Sequence, residues 1–509
     1  MPPSPPPTNT TTPTGTPTPT GTPTPTTATP GPAATIAAAG TGLALAAAVG
    51  CAVYGPWTHP GSAGVFVVYG VAWTLFALGA HLVRRLPVRR AVLLILLGAV
   101  ALPFLATGAE PRTSDDAYRY AFDGRVQAAG HSPYTHTPAD PEVARHRDDW
   151  LFPQGECAGW FRHPLPDGGC TRINRPEVHT IYPPVAEAYY LLVHLATPPG
   201  RHEPVQAAAA LLAVAVTAAL LLVLRRFGRD PRNAVWWAWC PMVALEAGNN
   251  AHVDVLGVLL MVLGLAAVAA RRPILGGVLL GGAVATKMFP AAALPAGLRR
   301  APVRLLGAAG LTVVLVYLPH VLAAGHAVLG YLPGYLAEER YDDGARFGLL
   351  GLVLPVEATP YAAVVVLLAL TAAVIARADP DRPWHGALTL TGGMLFVLTP
   401  AYPWYALLVV ALVALDGRRW EWLALGPAGY ALYLTWGLDL SADQVRATHR
   451  IGYGVALLVV LAAALVRRPR PADGTTGSPA AFHAWKPPIR SVAPDSPRST
   501  RDAAARLDA

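Results

Sequence analysis

Apolar runs of about 20 residues recur along the chain, each long enough to cross a bilayer as a helix. They fall at 34–54, 64–83, 91–106, 205–224, 253–270, 303–323, 361–376 and 455–466. The polar breaks between them are mostly short and rich in arginine; one, at 109–177, is long. This pattern predicts an all-α, polytopic transmembrane helical bundle of about 11–14 spans or half-spans, with a long first loop carrying interfacial helices. Two segments do not fit whole spans. Residues 273–298 are apolar but interrupted by Lys287, Pro290 and Pro295, which predicts a pair of half-helices or one tilted span. Residues 178–196 either span or lie along the membrane surface. Broken helices at membrane depth occur only where they line protein or an aqueous cavity, so each irregularity marks a place to look for a site.

Composition agrees: 53% of the 509 residues are hydrophobic and 14% charged, against about 25% charged in soluble proteins. The formal charge of +8 does not point to nucleic acid, because the arginines sit in short loops without interleaved aromatics. The positive-inside rule accounts for them. Arg84, Arg85, Arg89 and Arg90 place the loop after the second run in the cytoplasm, as do the arginine groups at 225–232, 271–272, 299–304, 418–419 and 467–470. The expectation is a multi-pass plasma-membrane protein with cytoplasmic termini and an extracytoplasmic 109–177 loop. Residues 1–32, nearly all Pro, Thr and Gly, read as a disordered leader; 467–509 read as a disordered cytoplasmic tail, and 33–466 as the membrane domain. No basic stretch precedes the first apolar run, so it reads as a helix rather than a cleaved signal. Cys157 and Cys170 share the long loop and form a disulfide if it faces an oxidising compartment.

The candidate chemistry clusters in a few stretches. "TSDDAYRYAFDGRVQAAGHSPY" (113–134) places Asp115 and Asp116 just after a membrane exit. Either they cap a helix, with Ser114 or Asp115 as the cap, or one is a general base and the other orients a substrate, a basic residue or a metal. Arg119, four residues after Asp115, can pair with it on a helix, and Arg119 and Arg125 both suit phosphate. "EAGNNAHVDVLG" (246–257) concentrates Asn249, Asn250, His252 and Asp254 between two apolar helices. Capping explains one asparagine; ionisable groups running into an apolar segment suggest function. Lys287, beside a proline break, either snorkels or neutralises a lipid phosphate. "NRPEVHTIYPP" (174–184) offers Asn174, His179 and Tyr182 as one wall of a groove. Trp404 and Tyr405 belong to an aromatic belt or stack on a sugar. No nucleotide loop, zinc spacing or Ser/His/Asp set is present in the sequence. A divalent cation is possible at the acidic sites; no other cofactor is implied.

Taken in order, the carboxylate pair, the long loop, "TIYPP", "NNAHVD" and "TKMFP" resemble the GT-C superfamily of integral-membrane glycosyltransferases. The resemblance is strongest to glycosyltransferase family 87 and the polyprenol-phosphomannose-dependent α-mannosyltransferases, and covers about 94–405. It implies inverting transfer of a sugar, mannose above all, from a polyprenyl-phosphate donor to a cell-envelope glycan or glycolipid on the outer face. Asp115 or Asp116 would be the base. Arg119, His252, Asp254 and Lys287 would serve the donor phosphate; Arg125, Asn174, His179, Tyr182, Asn250, Trp404 and Tyr405 would line the groove. This sequence departs from the family at His252-Val253-Asp254, where the middle residue is not Asn, and in the cysteine-bearing insertion at 153–172. A transporter or flippase for a lipid-linked or polar solute is the alternative, since acids near a span end and an intramembrane lysine also suit ion coupling.

Overall fold

The computed structural model describes residues 31–56, 61–197, 200–341, 344–435 and 437–467. The leader, up to residue 30, and the tail, from 468, lie outside the described residues. The chain divides into Met1–Ala463, which holds everything discussed below, and Ala464–Ala509, of which only the end of one helix is described.

Helices make up 71% of the described chain. In order they are α1 (Pro32–Tyr54), α2 (Gly64–Arg85), α3 (Val88–Leu105), α4 (Asp116–Ala128), α5 (Pro184–Ala196), α6 (Glu203–Arg226), α7 (Val235–Ala238) and α8 (Asp254–Ala269). Then come α9 (Pro273–Val284), α10 (Pro302–Ala324), α11 (Leu332–Glu338), α12 (Thr359–Arg377), α13 (Pro383–Leu398), α14 (Leu407–Asp416), α15 (Leu425–Tyr433) and α16 (Ala442–Val466). One two-stranded antiparallel ribbon, β1 (His163–Pro164) with β2 (Cys170–Thr171), lies in the long loop. Proline opens many of the helices: α1, α5, α6, α9, α10, α12 and α13 each carry one in the first turn. There the missing N–H has no intrahelical partner to lose and the fixed φ suits the helix.

Among the described residues seven helices are long and apolar enough to cross a membrane, and an eighth span forms if the turn Val243–Asn249 and α8, bent by 119° at their junction, count as one. All eight apolar runs read from the sequence fall on these helices. The protein is therefore an all-α, multi-pass membrane protein. The ambiguous 273–298 segment resolves as two short pieces, α9 and a 3₁₀ turn over Phe289–Gly297, with Lys287 at the break. Residues 184–196 form α5, 13 residues long and shorter than a span needs.

Burial shows which helices form the core. Every residue of α14 is buried, as expected of a helix apolar on all sides; it packs against α6, α7, α8 and α13. By contrast, α10 buries only Leu305 and Ala309, and large side chains such as Leu311, Val314 and Leu322 stand exposed. So broad an apolar surface suits lipid rather than water.

The helix expected to lie at the headgroups is covered on both sides. α4 packs one face on α5, where a side chain at Gly124 would run into the Tyr190 carbonyl. Its other face carries Tyr118, Phe122 and Val126, which join Trp150, Leu151, Phe152, Leu165 and Ile173 in a small core built by the long loop itself. Within that loop Cys157 and Cys170 are joined by a disulfide.

Candidate active site

A cavity of about 430 Å³ opens between the long loop and the helices. Asp115, Asp116 and Arg119 enter it from the start of α4; Asn174, His179 and Tyr182 from the chain before α5; Lys287 from the break after α9; and Trp404 and Tyr405 from the turn before α14. Nine of the residues singled out in the sequence thus meet, drawn from four separate stretches.

The carboxylate pair is not a cap. Asp115 occupies the N-cap position of α4, yet its side chain makes no capping hydrogen bond; the Asp116 N–H is received by the Ser114 hydroxyl at 3.3 Å. That frees the Asp115 carboxylate, which accepts from Asn174 Nδ2 at 2.5 Å and meets His163 Nε2 at 3.0 Å. Asp116 faces the other way. The Tyr120 hydroxyl donates to it at 3.3 Å, and His252 Nδ1 lies 3.5 Å away. Burial alone would raise its pKa, but hydrogen bonding and charge from His252, with Lys287 adding to them, outweigh burial and hold the carboxyl below the usual carboxylate range.

Arg119 pairs with Asp123, not with Asp115. Its Nε lies 2.8 and 2.9 Å from the two carboxylate oxygens, and Nη1 donates to the Val178 carbonyl at 3.1 Å. The reason is local: Asp115 sits at the cap, outside the helical run, whereas Asp123 lies one turn on. Arg119 Nη2 is buried with no partner among the described residues. Behind Arg119, Asp123 and Glu187 are buried as an acidic pair. Desolvation, and for Glu187 the neighbouring Asp123, push both carboxyls up. Thr180 and Gln127 donate to Glu187 at 2.6 and 2.8 Å.

Lys287 is tied down as well. Its ammonium lies 3.1 Å from Asp254 Oδ2 and over the rings of Tyr182 and Tyr405, at 5.1 and 5.6 Å. An ammonium carries three donors, so the ion pair leaves others for a ligand.

Other expected residues stand behind the wall. His252 and Asp254 are buried at 0% and 4% exposure, and neither lines the cavity. His252 bridges Asp116 and Glu246, the latter at 3.3 Å, and stacks on Trp404 at 3.8 Å. Asn250 does not reach the cavity either. Its amide donates to Thr113 Oγ1 at 2.7 Å and to Glu246 Oε2 at 2.9 Å, while its oxygen accepts from the Thr113 N–H at 3.3 Å. Asn249 fastens the end of α3 in the same way, donating to the carbonyls of Ala106, Ala109 and Glu110 and accepting from the Arg112 N–H. The two asparagines are the hinge pins of the segment that presents Asp115. Arg125 lies away from the cavity, paired with Asp148 at 2.5 Å. Two protein rings already stack on Trp404, His252 at 3.8 Å and Tyr402 at 4.7 Å; Tyr405 stacks on Phe289 at 4.1 Å. Among the described residues no group of three His, Cys, Asp or Glu is placed to hold a metal ion.

Several lining residues escaped the sequence reading. His163 comes from the insertion that looked peripheral. Arg175 pairs with Glu338 of α11 and so ties the loop to the bundle. Tyr402 donates to Glu339 at 2.9 Å, and Tyr331 to Glu338 at 2.9 Å. Only the count of tyrosines near "PGYLAEERYDD" and "LTPAYPWYAL" hinted at them.

Carboxylates, paired cationic side chains and a tyrosine-rich wall line this cavity in a multi-pass helical bundle. Residues 180–400 match the family model of glycosyltransferase family 87, a match that indicates a glycosyltransferase. No curated protein and no solved structure matches the chain. The matched region contains Tyr182, His252, Asp254 and Lys287 and begins after Asp115 and Asp116; the case for the carboxylates therefore rests on their geometry.

Proposed function

We propose that the protein transfers a sugar, mannose in the first instance, from a polyprenyl-phosphate donor to a cell-envelope glycan or glycolipid, with inversion, on the extracytoplasmic face. The observation that carries this reading is the shared cavity wall: Asp115 beside neutral and imidazole donors, with Lys287 and Arg119 lining the same space.

Asp115 is the base. The acceptor hydroxyl gives its proton to the Asp115 carboxylate. The acceptor oxygen attacks the anomeric carbon from the face opposite the phosphate, and the bond to the phosphate oxygen breaks. The departing polyprenyl phosphate takes the electron pair and is met by the N–H donors of Lys287 and Arg119. Preorganised donors at developing charge lower such a barrier most. Asp116, held as the anion by His252 and Lys287, is the poorer proton acceptor, because low basicity weakens general-base catalysis; it orients its cationic neighbours. The apolar side chains of Met288, Phe289, Val328 and Leu329 on the cavity wall suit the lipid end of the donor.

The test is purified protein with radiolabelled polyprenyl-phospho-mannose and an oligomannoside acceptor. Asp115→Asn is expected to lower transfer by about 10²–10⁴-fold, with the fold intact by thermal unfolding. Full activity in Asp115→Asn would overturn the assignment of the base. Movement of labelled lipid across vesicles without sugar transfer would favour a flippase instead.

A further inference from the structure

A second cavity, of about 600 Å³, lies among the arginine-bearing loops. Trp404 and Tyr405, just before α14, line the first cavity; Asp416, Gly417 and Arg418, at its other end, line the second. The two are therefore separated by the length of the buried central helix. Arg84 reaches the second cavity from the end of α2, Arg229 and Asn233 from the chain after α6, and Arg382 and Trp384 from the start of α13.

Its charges do not balance within the cavity. Three acids line it, and each is committed to a cation outside the lining. Asp230 pairs with Arg232 at 2.8 Å, Asp381 with Arg300 at 2.9 Å, and Asp416 with Arg419 at 3.0 Å and with His385. The lining arginines differ. Arg84 donates to the Gly417 carbonyl at 3.4 Å and Arg229 to the Asp416 carbonyl, while among the described residues Arg84, Arg229 and Arg382 form no ion pair. Arg84 Nε is buried without a partner. Two of these guanidiniums are also held in place by indoles: Arg84 lies 5.3 Å from the Trp236 ring and Arg229 5.7 Å from that of Trp384, contacts that orient the planar fork. Asn233 is 95% buried and its side-chain oxygen has no partner.

Guanidiniums without an ion-pair partner among the described residues, two of them oriented by indoles, make a receptor for a planar or tetrahedral oxyanion. The cavity sits where apolar helices end. We propose that it binds a phosphate-bearing anion through Arg84, Arg229 and Arg382, either the headgroup of an anionic lipid or a soluble phosphate, with the Asn233 oxygen accepting a hydroxyl of the ligand. Bound there, the anion joins α2, α6, α13 and α14 and stabilises the fold by linkage. The proposal is independent of the glycosyl-transfer reading.

The experiment uses the full-length protein in an uncharged detergent at constant ionic strength. Thermal unfolding is followed against added phosphatidylglycerol, phosphatidylcholine or inorganic pyrophosphate, for the wild type and for an Arg229→Gln/Arg382→Gln variant. A saturable rise in Tm of about 2–4 °C is expected with phosphatidylglycerol or with pyrophosphate and is lost in the variant. A rise with phosphatidylglycerol alone assigns the lipid headgroup, and a rise with pyrophosphate assigns the free anion as well. Should the double variant not fold, Arg382→Gln alone, an exposed position, is read the same way. No shift with either anion, an equal shift with phosphatidylcholine, or an unchanged shift in the variant would overturn the site.

Discussion

Asp115 sits at the cap, outside the helical run, whereas Asp116 opens α4, and this difference separates the two carboxylates into different surroundings. Asp115 turns to the extramembrane loop and meets His163 and Asn174, whereas Asp116 turns inward to His252 and Tyr120. The imidazole of His163 is then a positioning residue for the base. Its removal in His163→Ala is expected to lower kcat about 10-fold, the worth of roughly one hydrogen bond, with little change in KM, and His163→Gln should restore part of the loss by keeping a donor. Steady-state kinetics of the two variants check this; an unchanged kcat in His163→Ala would remove the residue from the mechanism. Asp115 and Asp116 stand out in the sequence because they are adjacent acids beside a membrane segment. His163 does not, because its only route to Asp115 is a hairpin closed by the Cys157–Cys170 disulfide.

Among the elements, α4 is the one on which the site depends. It carries both carboxylates and Arg119, and its position is set by close contact with α5. Gly124 permits that approach, since an added Cβ would meet the Tyr190 carbonyl. Gly124→Ala should therefore push the two helices apart at a cost of about 1–3 kcal/mol, visible as a lower Tm together with reduced transfer; a Tm equal to the wild type would show that the contact relaxes freely. Helix periodicity and the Tyr-Pro-Pro stop made both helices readable in the sequence. That α4 is covered on both sides was not readable, because its second cover, Trp150 to Phe152 with Leu165 and Ile173, comes from loop residues without periodic pattern. The turn at 246–252 shows the same limit. Its polar residues were conspicuous, yet whether Asn249 and Asn250 touch ligand or backbone depends on the end of α3, more than 130 residues earlier.

Over the whole molecule, the catalytic cavity is built by the loops that lack the arginine excess, and the arginine-rich loops converge around the other cavity. We propose on the positive-inside rule that the first faces outward and the second the cytoplasm. In a Cys51→Ala background, a membrane-impermeant maleimide applied to intact cells is expected to label Asp149→Cys, in the long loop, but to label Arg418→Cys only after permeabilisation. The opposite pattern would invert the topology and move the reaction to the cytoplasmic side.

The sequence by itself determined the class and the outline of this protein. Runs of about 20 apolar residues fix membrane helices because hydrocarbon leaves backbone groups no other partner, and arginine placement biases their direction. The tertiary structure alone decided which polar residues share a space. Asp115, Asn174, Lys287 and Tyr405 come from separate stretches of chain, and no local pattern encodes their distance. Whether a charge such as His252 or Asp254 lines the cavity or braces its wall depends on packing against residues far away in sequence, and only the folded bundle supplies those neighbours.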